Sequence, residues 1–289
     1  MTDTHEQWDI VSSVGLTALG VAAARAVETN SPDPLVRDPY AEGLVRAADA
    51  PVPMPTHPVP DDDQRAQTWS YLRDRMAGRT RYFDEFFERV QQEGFEQAVV
   101  LASGLDTRAF RMSWPAGFHL FEIDQQAVLD FKERTLRDLG AEPGCSWHPV
   151  RVDLRDDWES ALVDARFDRT RRTAWLAEGL LSYLPAAAQQ QLMEIVDRLS
   201  APGSAFSLNA NSEHFPSEGR VHLALDSLGV NPRELMSDEQ RPPAERTLGE
   251  LGWTAETASV IEVGHHCDRP LEGYGDDTLQ GSYFATARK

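Results

Sequence analysis

The sequence predicts an α/β fold: a Rossmann-like sheet of seven strands, five of them parallel and two closing the edge. Three observations carry it. From Ala98 onward, short apolar runs of strand length alternate with helical patterns, the mark of βαβ units and a mainly parallel sheet. Acidic residues close successive runs at Asp124, Asp153 and Glu178, where open α/β sheets bind their ligands. Twenty residues separate Gly104 from Asp124, the usual interval from a ligand-cradling turn to a ribose-binding carboxylate.

Taken in order, Val14–Val27 is Ala-rich and apolar and reads as an amphipathic or buried helix. Acidic rather than basic residues precede it, it contains Arg25, and it is too short to span a bilayer. The segment 49–63 carries Pro51, Pro53, Pro55, Pro58 and Pro60, which rule out helix and inner strand and leave an extended loop. Gln67–Gln91 is a strong helix with Trp69, Leu72, Met76, Phe83, Phe86 and Val90 at three-to-four spacing. Arg79 falls inside that apolar stripe.

The strands are expected at Ala98–Ala102, His119–Asp124, His148–Val152, Ala174–Ala177 and Ala205–Leu208. A helix bearing Val128, Phe131, Leu136 and Leu139 follows the second strand, and Pro185 opens another through Leu199. Two last strands are expected at Thr254–Val263 and Ser282–Ala287. The polar, helix-like stretch 212–250 then reads as an insertion over the active-site edge. The chain divides into a helical N-terminal cover, 1–95, and an α/β core, 96–289.

Composition narrows the partners. Apolar content of 41% and charged content of 26% are those of an ordinary globular protein. A net charge of −19, without a dense Lys/Arg cluster, repels phosphate backbones and argues against nucleic acid. Two cysteines, Cys145 and Cys267, with no Cys-x-x-Cys and no signal peptide, point to free thiols in a reducing cytoplasm. No membrane partner is expected. The oligomeric state is not legible.

The candidate site residues each carry two readings. Ser103-Gly104-Leu105-Asp106-Thr107-Arg108 has one glycine where a dinucleotide loop has three, so it fits a ligand without a pyrophosphate, or is an ordinary strand-to-loop turn. Asp124 can accept from both ribose hydroxyls, or cap the following helix. Glu122, two residues earlier, is expected on the opposite face. Asp153-Leu154 can recognise an adenine, by its exocyclic amine and its ring, or form another cap. Arg79 needs a partner, because an unpaired buried charge is costly: a ligand carboxylate, or a protein one such as Asp84. Arg75 and Arg81 compete for the same role. His265-His266-Cys267-Asp268 resembles a metal cluster, but adjacent histidines in a strand diverge, and no metal is expected. One ligand touching all the strand-end acids is more economical than a separate cap for each.

Together, Ala102–Arg108, Phe121-Glu122-Ile123-Asp124, Val152-Asp153-Leu154 and Glu178–Leu184 resemble the leucine carboxyl methyltransferase family, above all its bacterial branch of S-adenosylmethionine-dependent methyltransferases. Ser12–Gly15, Ala22–Glu28 and Arg79–Asp84 fit as well, and the likeness is strong over about Ser12 to Gly203. The resemblance implies a seven-stranded class I methyltransferase fold with S-adenosyl-L-methionine as cofactor. It places Gly104 beside the methionine, Asp124 on the ribose, Asp153 and Leu154 on the adenine, Glu178 on the amino group and an Arg79-helix arginine on the carboxylate. Methyl transfer to a carboxylate of a small molecule or peptide needs no general base, since such a group is ionised at neutral pH. A phenol or alcohol acceptor would need one, recruited from Tyr183 or a histidine of the insertion. An NAD-dependent oxidoreductase or a non-catalytic adenosyl-ligand binder are the alternatives.

Overall fold

A computed structural model describes residues 13–60, 64–212, 219–220, 229–231, 237 and 239–289. Three helices come first: α1 (Ser13–Thr29), α2 (Ala41–Ala47) and the long α3 (Gln64–Gln92). The core then alternates β1 (Gln97–Leu101), α4 (Arg108–Arg111), β2 (His119–Asp124), α5 (Gln126–Asp138), β3 (Ser146–Arg151), α6 (Trp158–Asp164), β4 (Thr173–Ala177), α7 (Ala186–Leu199) and β5 (Ala205–Asn211). It closes with α8 (Ala244–Glu250), β6 (Thr254–Ser259), α9 (Val260–His266) and β7 (Ser282–Arg288).

One sheet results, in the order β3-β2-β1-β4-β5-β7-β6. The first five strands run parallel, and β7 lies antiparallel between β5 and β6. Every residue of β1 and β4 is buried, as expected of central strands covered on both faces. On one face Val99, Phe121, Trp175 and Phe206 pack with Trp158 of α6 and Leu192 and Val196 of α7. On the other, Ala98, Val100 and Leu120 meet Phe83, Phe86, Phe87 and Val90 of α3. A third cluster joins Leu19, Leu44 and Trp69 to Phe131 and Leu136 of α5, so α1 and α2 are seated across α3 and α5. The strand order reverses between β1 and β4, and such a switch point opens a crevice at the carboxyl ends of the strands.

Several sequence expectations are corrected here. The strand expected over Thr254–Val263 stops at Ser259, because Ser259 and Glu262 form a reciprocal capping box that starts α9. His265 and His266 therefore sit in the last turn of a helix, where His265 meets Glu272 and His266 lies 3.7 Å from Glu85. Among the described residues no group of three metal-ligating side chains occurs. Glu122 shares a face with Asp124 rather than opposing it, since side chains two apart in a strand point the same way. Ala102 is not a strand residue: its φ of 50° ends β1 one residue early. The short helices α2, α4 and α6 had no periodic signature. Most of the 212–250 insertion lies outside the described residues, apart from α8.

Candidate functional site

The turn after β1 is bent by two departures from ordinary backbone, one on each side of Ser103. Ala102 and Gly104 have φ of 50° and 51°, in the left-handed region that costs a side-chain-bearing residue on the order of 1–2 kcal/mol. Glycine takes this conformation at 104 without that cost, and its N–H turns toward β2 and donates to Asp124 Oδ2 at 2.6 Å. Asp124 Oδ1 accepts from the Gln125 N–H at 2.7 Å. A carboxylate has about four acceptor positions, so two remain for a ligand. Burial pushes the Asp124 carboxyl above the usual range, and the two backbone N–H donors and Lys132 pull it back.

Asp153 stands beside it. Gln125 Nε2 donates to Asp153 Oδ2 at 2.8 Å, while Arg155 donates to both oxygens from Nε and Nη2 at 2.9 and 2.7 Å. Neither acid caps a helix through its side chain: α5 is capped by Gln125 without a side-chain bond, and α6 by Asp157, which accepts from the Ser160 N–H. Leu154 packs on the core next to them.

Glu178 follows β4 and is gripped by two guanidinium groups. Arg79 Nε donates to its Oε1 at 2.9 Å, and Arg108 Nη1 to its Oε2 at 2.8 Å. The stripe-breaking Arg79 thus meets a protein carboxylate, but it is Glu178 and not Asp84. Asp84 instead holds Arg108 at 2.7 Å and Arg111 at 2.7 and 2.8 Å. Burial lowers the Arg79 pKa and Glu178 opposes that. Among the described residues the two Nη atoms of Arg79 have no hydrogen-bond acceptor, and they lie beside Gly179, whose φ is 68°. Tyr183 sits in the 3₁₀ turn Leu181–Tyr183, its phenol pushed up by burial, engaged by Thr17 of α1 and facing Arg79. The rival arginines diverge: Arg75 donates to Tyr71 and Ser282, and Arg81 pairs with Glu85 on the surface.

Arg108 links the two halves of the site, and sequence reasoning had quoted it only as the end of a motif. Its side chain is 3% exposed and bonds Asp84, Asp106 and Glu178 together. Burial would raise the Asp106 carboxyl, but Arg108 and Lys132 override it and hold it at about 2. Arg25 was equally unread. It leaves α1 to bond Asp38 at 2.8 Å and the Leu105 carbonyl at 2.6 Å, which pins α1 over the turn. One continuous polar chain therefore runs from Tyr183 through Arg79, Glu178, Arg108 and Asp106 to the Gly104 turn, Asp124, Gln125 and Asp153.

Residues 18–197, more than half of the chain, match the leucine carboxyl methyltransferase family. The chain belongs to that family. It is an S-adenosyl-L-methionine-dependent methyltransferase, and the dinucleotide alternative falls with the glycines its first turn lacks. It is 45% identical over 289 residues, 99% of each chain, to a protein of Saccharopolyspora erythraea named "Putative S-adenosyl-L-methionine-dependent methyltransferase". A relative named in the same way from Mycolicibacterium smegmatis is 48% identical over 294 residues, covering 94% of this chain and 95% of its own. The crystal structure of "a putative methyltransferase" from Thermobifida fusca YX superposes over 94% of both chains with a TM-score of 0.55 at 17% identity, a likeness of fold. Among the described residues no helix is long and apolar enough to cross a membrane.

Proposed function

We propose that this methyltransferase acts on an oxygen of a carboxylate, carried by a small molecule or a peptide. One observation supports that choice: none of Glu178, Asp124 and Tyr183 is left to act as a general base toward the acceptor once the cofactor is bound. Glu178 is bound by two guanidinium groups, Asp124 is held by two backbone N–H donors, and burial keeps the Tyr183 phenol protonated at neutral pH. An acceptor must then arrive ionised, which a carboxylate with a pKa of about 4 does.

The residues present fit the cofactor. Asp124 has two unspent acceptor positions for a ribose diol. Leu154 supplies an apolar surface for adenine, with the Asp153 carboxylate beside it once a bond from Arg155 or Gln125 is exchanged, and the Gly104 turn a close backbone approach for the methionine. Glu178 has the negative charge that an ammonium needs, and the Nη atoms of Arg79, which find no acceptor among the described residues, the fork that a carboxylate needs. When bound, S-adenosyl-L-methionine supplies a methyl group on an excellent sulfonium leaving group. The protein's part is alignment, for which about 7–11 kcal/mol of entropic saving is available. Tyr183 donates its phenolic hydrogen toward the acceptor, and helices α1, α2 and α3 cover the crevice so that water is excluded.

Thermal shift with S-adenosylmethionine, S-adenosylhomocysteine and NAD tests the cofactor assignment. Ligand at a hundred times its Kd stabilises by about 2.7 kcal/mol, a rise of roughly 5 °C for a chain of this size. The two adenosyl ligands are expected to give it and NAD is not. Asp124→Ala is expected to abolish most of the shift; an undiminished shift in that variant removes the ribose assignment.

A further inference from the structure

A buried charge pair that methyl transfer does not call upon lies directly beneath the cofactor turn. Lys132 of α5 and Glu122 of β2 both have 0% side-chain exposure and form an ion pair. Lys132 Nζ also donates to Ser103 Oγ at 3.3 Å, one residue before Gly104. The chain has 26 arginines and only two lysines, Lys132 and Lys289, so the choice of side chain here runs against its own composition. A compact ammonium can donate from one point in a closed space, which a planar guanidinium fork cannot.

The charges around it come from every side. Glu122 faces it from β2, Asp106 from the turn, and Asp124 from the end of β2. Asp153 in turn faces Asp124, while Arg108 and Arg111 face Asp106. Trp147 of β3 approaches Glu122, whose Oε1 has no hydrogen-bond partner among the described residues. Arg108 is shared among Asp84, Asp106 and Glu178 and Arg111 is bonded to Asp84, whereas Lys132 stands between Glu122 and the Ser103 turn and also acts on Asp124.

We infer that Lys132 is a positioning residue for cofactor binding: paired with Glu122 of β2 and donating to Ser103 Oγ, its ammonium ties the Ser103–Gly104 turn to β2 and so holds the Gly104 N–H on the Asp124 carboxylate that receives the ribose hydroxyls. The inference rests on the reading of Gly104 and Asp124 as cofactor ligands. Its consequence is a pH dependence. Burial works against the ionised form of Asp124, and Lys132 is among the groups opposing that effect. Without Lys132 the carboxyl takes up its proton at higher pH. The ionised form is the better acceptor, so affinity is lost as pH falls, and it is lost earlier than in the native protein.

Lys132→Met alone strands Glu122 without a counter-ion and is at risk of not folding. The pair variant Lys132→Met/Glu122→Gln leaves a neutral, hydrogen-bond-capable interior, and Ser103→Ala removes only the hydroxyl. Binding of S-adenosylhomocysteine is measured by titration calorimetry between about pH 5.5 and 8.5. The pair variant is expected to bind about tenfold more weakly than the native protein at the acid end, the effect of one pKa unit, and to converge on it at the alkaline end. Ser103→Ala is expected to lose affinity by the same factor at every pH. A pair variant whose ratio to the native protein does not change with pH overturns the inference. Asp124→Asn, titrated alongside, separates the two claims. Undiminished binding there removes the cofactor reading itself, whereas weakened binding there with an unshifted pair-variant profile removes only the role of Lys132.

Discussion

Replacing Arg108 with methionine takes one buried cation from between three carboxylates, and the structure shows which of them is left stranded. Asp84 retains Arg111, which bonds both of its oxygens. Glu178 retains Arg79 at 2.9 Å. Asp106 retains the backbone N–H of residue 108, at 2.7 Å, but loses the one cation bonded to it among the described residues. The cost is therefore that of one broken buried pair, about 3–5 kcal/mol, rather than three times that figure. For a chain of this size roughly 2 °C of Tm accompanies each kcal/mol, so the melting temperature falls by about 6–10 °C. Arg108→Lys recovers little of it, because a point charge cannot reach three acids at once. Calorimetric melting of both variants at neutral pH measures the effect. A fall of less than about 2 °C in Arg108→Met would show that the acids do not depend on this guanidinium, and would refute the hub.

Two further outcomes follow from single features. Ser259→Ala removes the capping box of α9 and is expected to cost about 1 kcal/mol, read as a lowered urea midpoint with an unchanged slope; an unchanged midpoint contradicts the cap. Acid should also act through Asp106. Its folded pKa of about 2 lies below the unfolded value of about 3.9, so its stabilisation is present above the unfolded value and lost as pH falls toward the folded one. Native Tm is expected to drop across that window, and the gap to Arg108→Met to narrow there; a constant gap would assign the shift elsewhere.

The parallel core was legible because buried strands and amphipathic helices impose periods that single residues betray. β2 was read at its observed limits, His119–Asp124, and the Ala205 strand fell short only at its polar end, Asn209–Asn211. The Thr254–Val263 reading failed because apolar alternation hid a local signal, Ser259-x-x-Glu262, whose side-chain bonds outweigh strand preference. The acids at the strand ends were legible because topology puts such residues in the crevice. Their partners were not. Arg108, Arg25 and Lys132 act across 70, 80 and 29 residues of sequence, to Glu178, Leu105 and Ser103, and no periodicity reports a contact of that kind. Arg79 was singled out correctly as a charge needing a partner, but a burial argument names the need and not the acid that meets it.

The reaction itself is tested most directly by following the methyl group. S-adenosylmethionine labelled in its methyl is incubated with the protein and a panel of carboxylic acids and peptides, and the product is then treated with mild base. A methyl ester gives up its label as volatile methanol, whereas an ether or a methylamine retains it. The account predicts acceptor-dependent release of S-adenosylhomocysteine with base-labile, volatile label, reduced at least about tenfold in Asp124→Ala through the lost charge-assisted bonds. Label that stays with the acceptor after base, or that forms undiminished in Asp124→Ala, would contradict it.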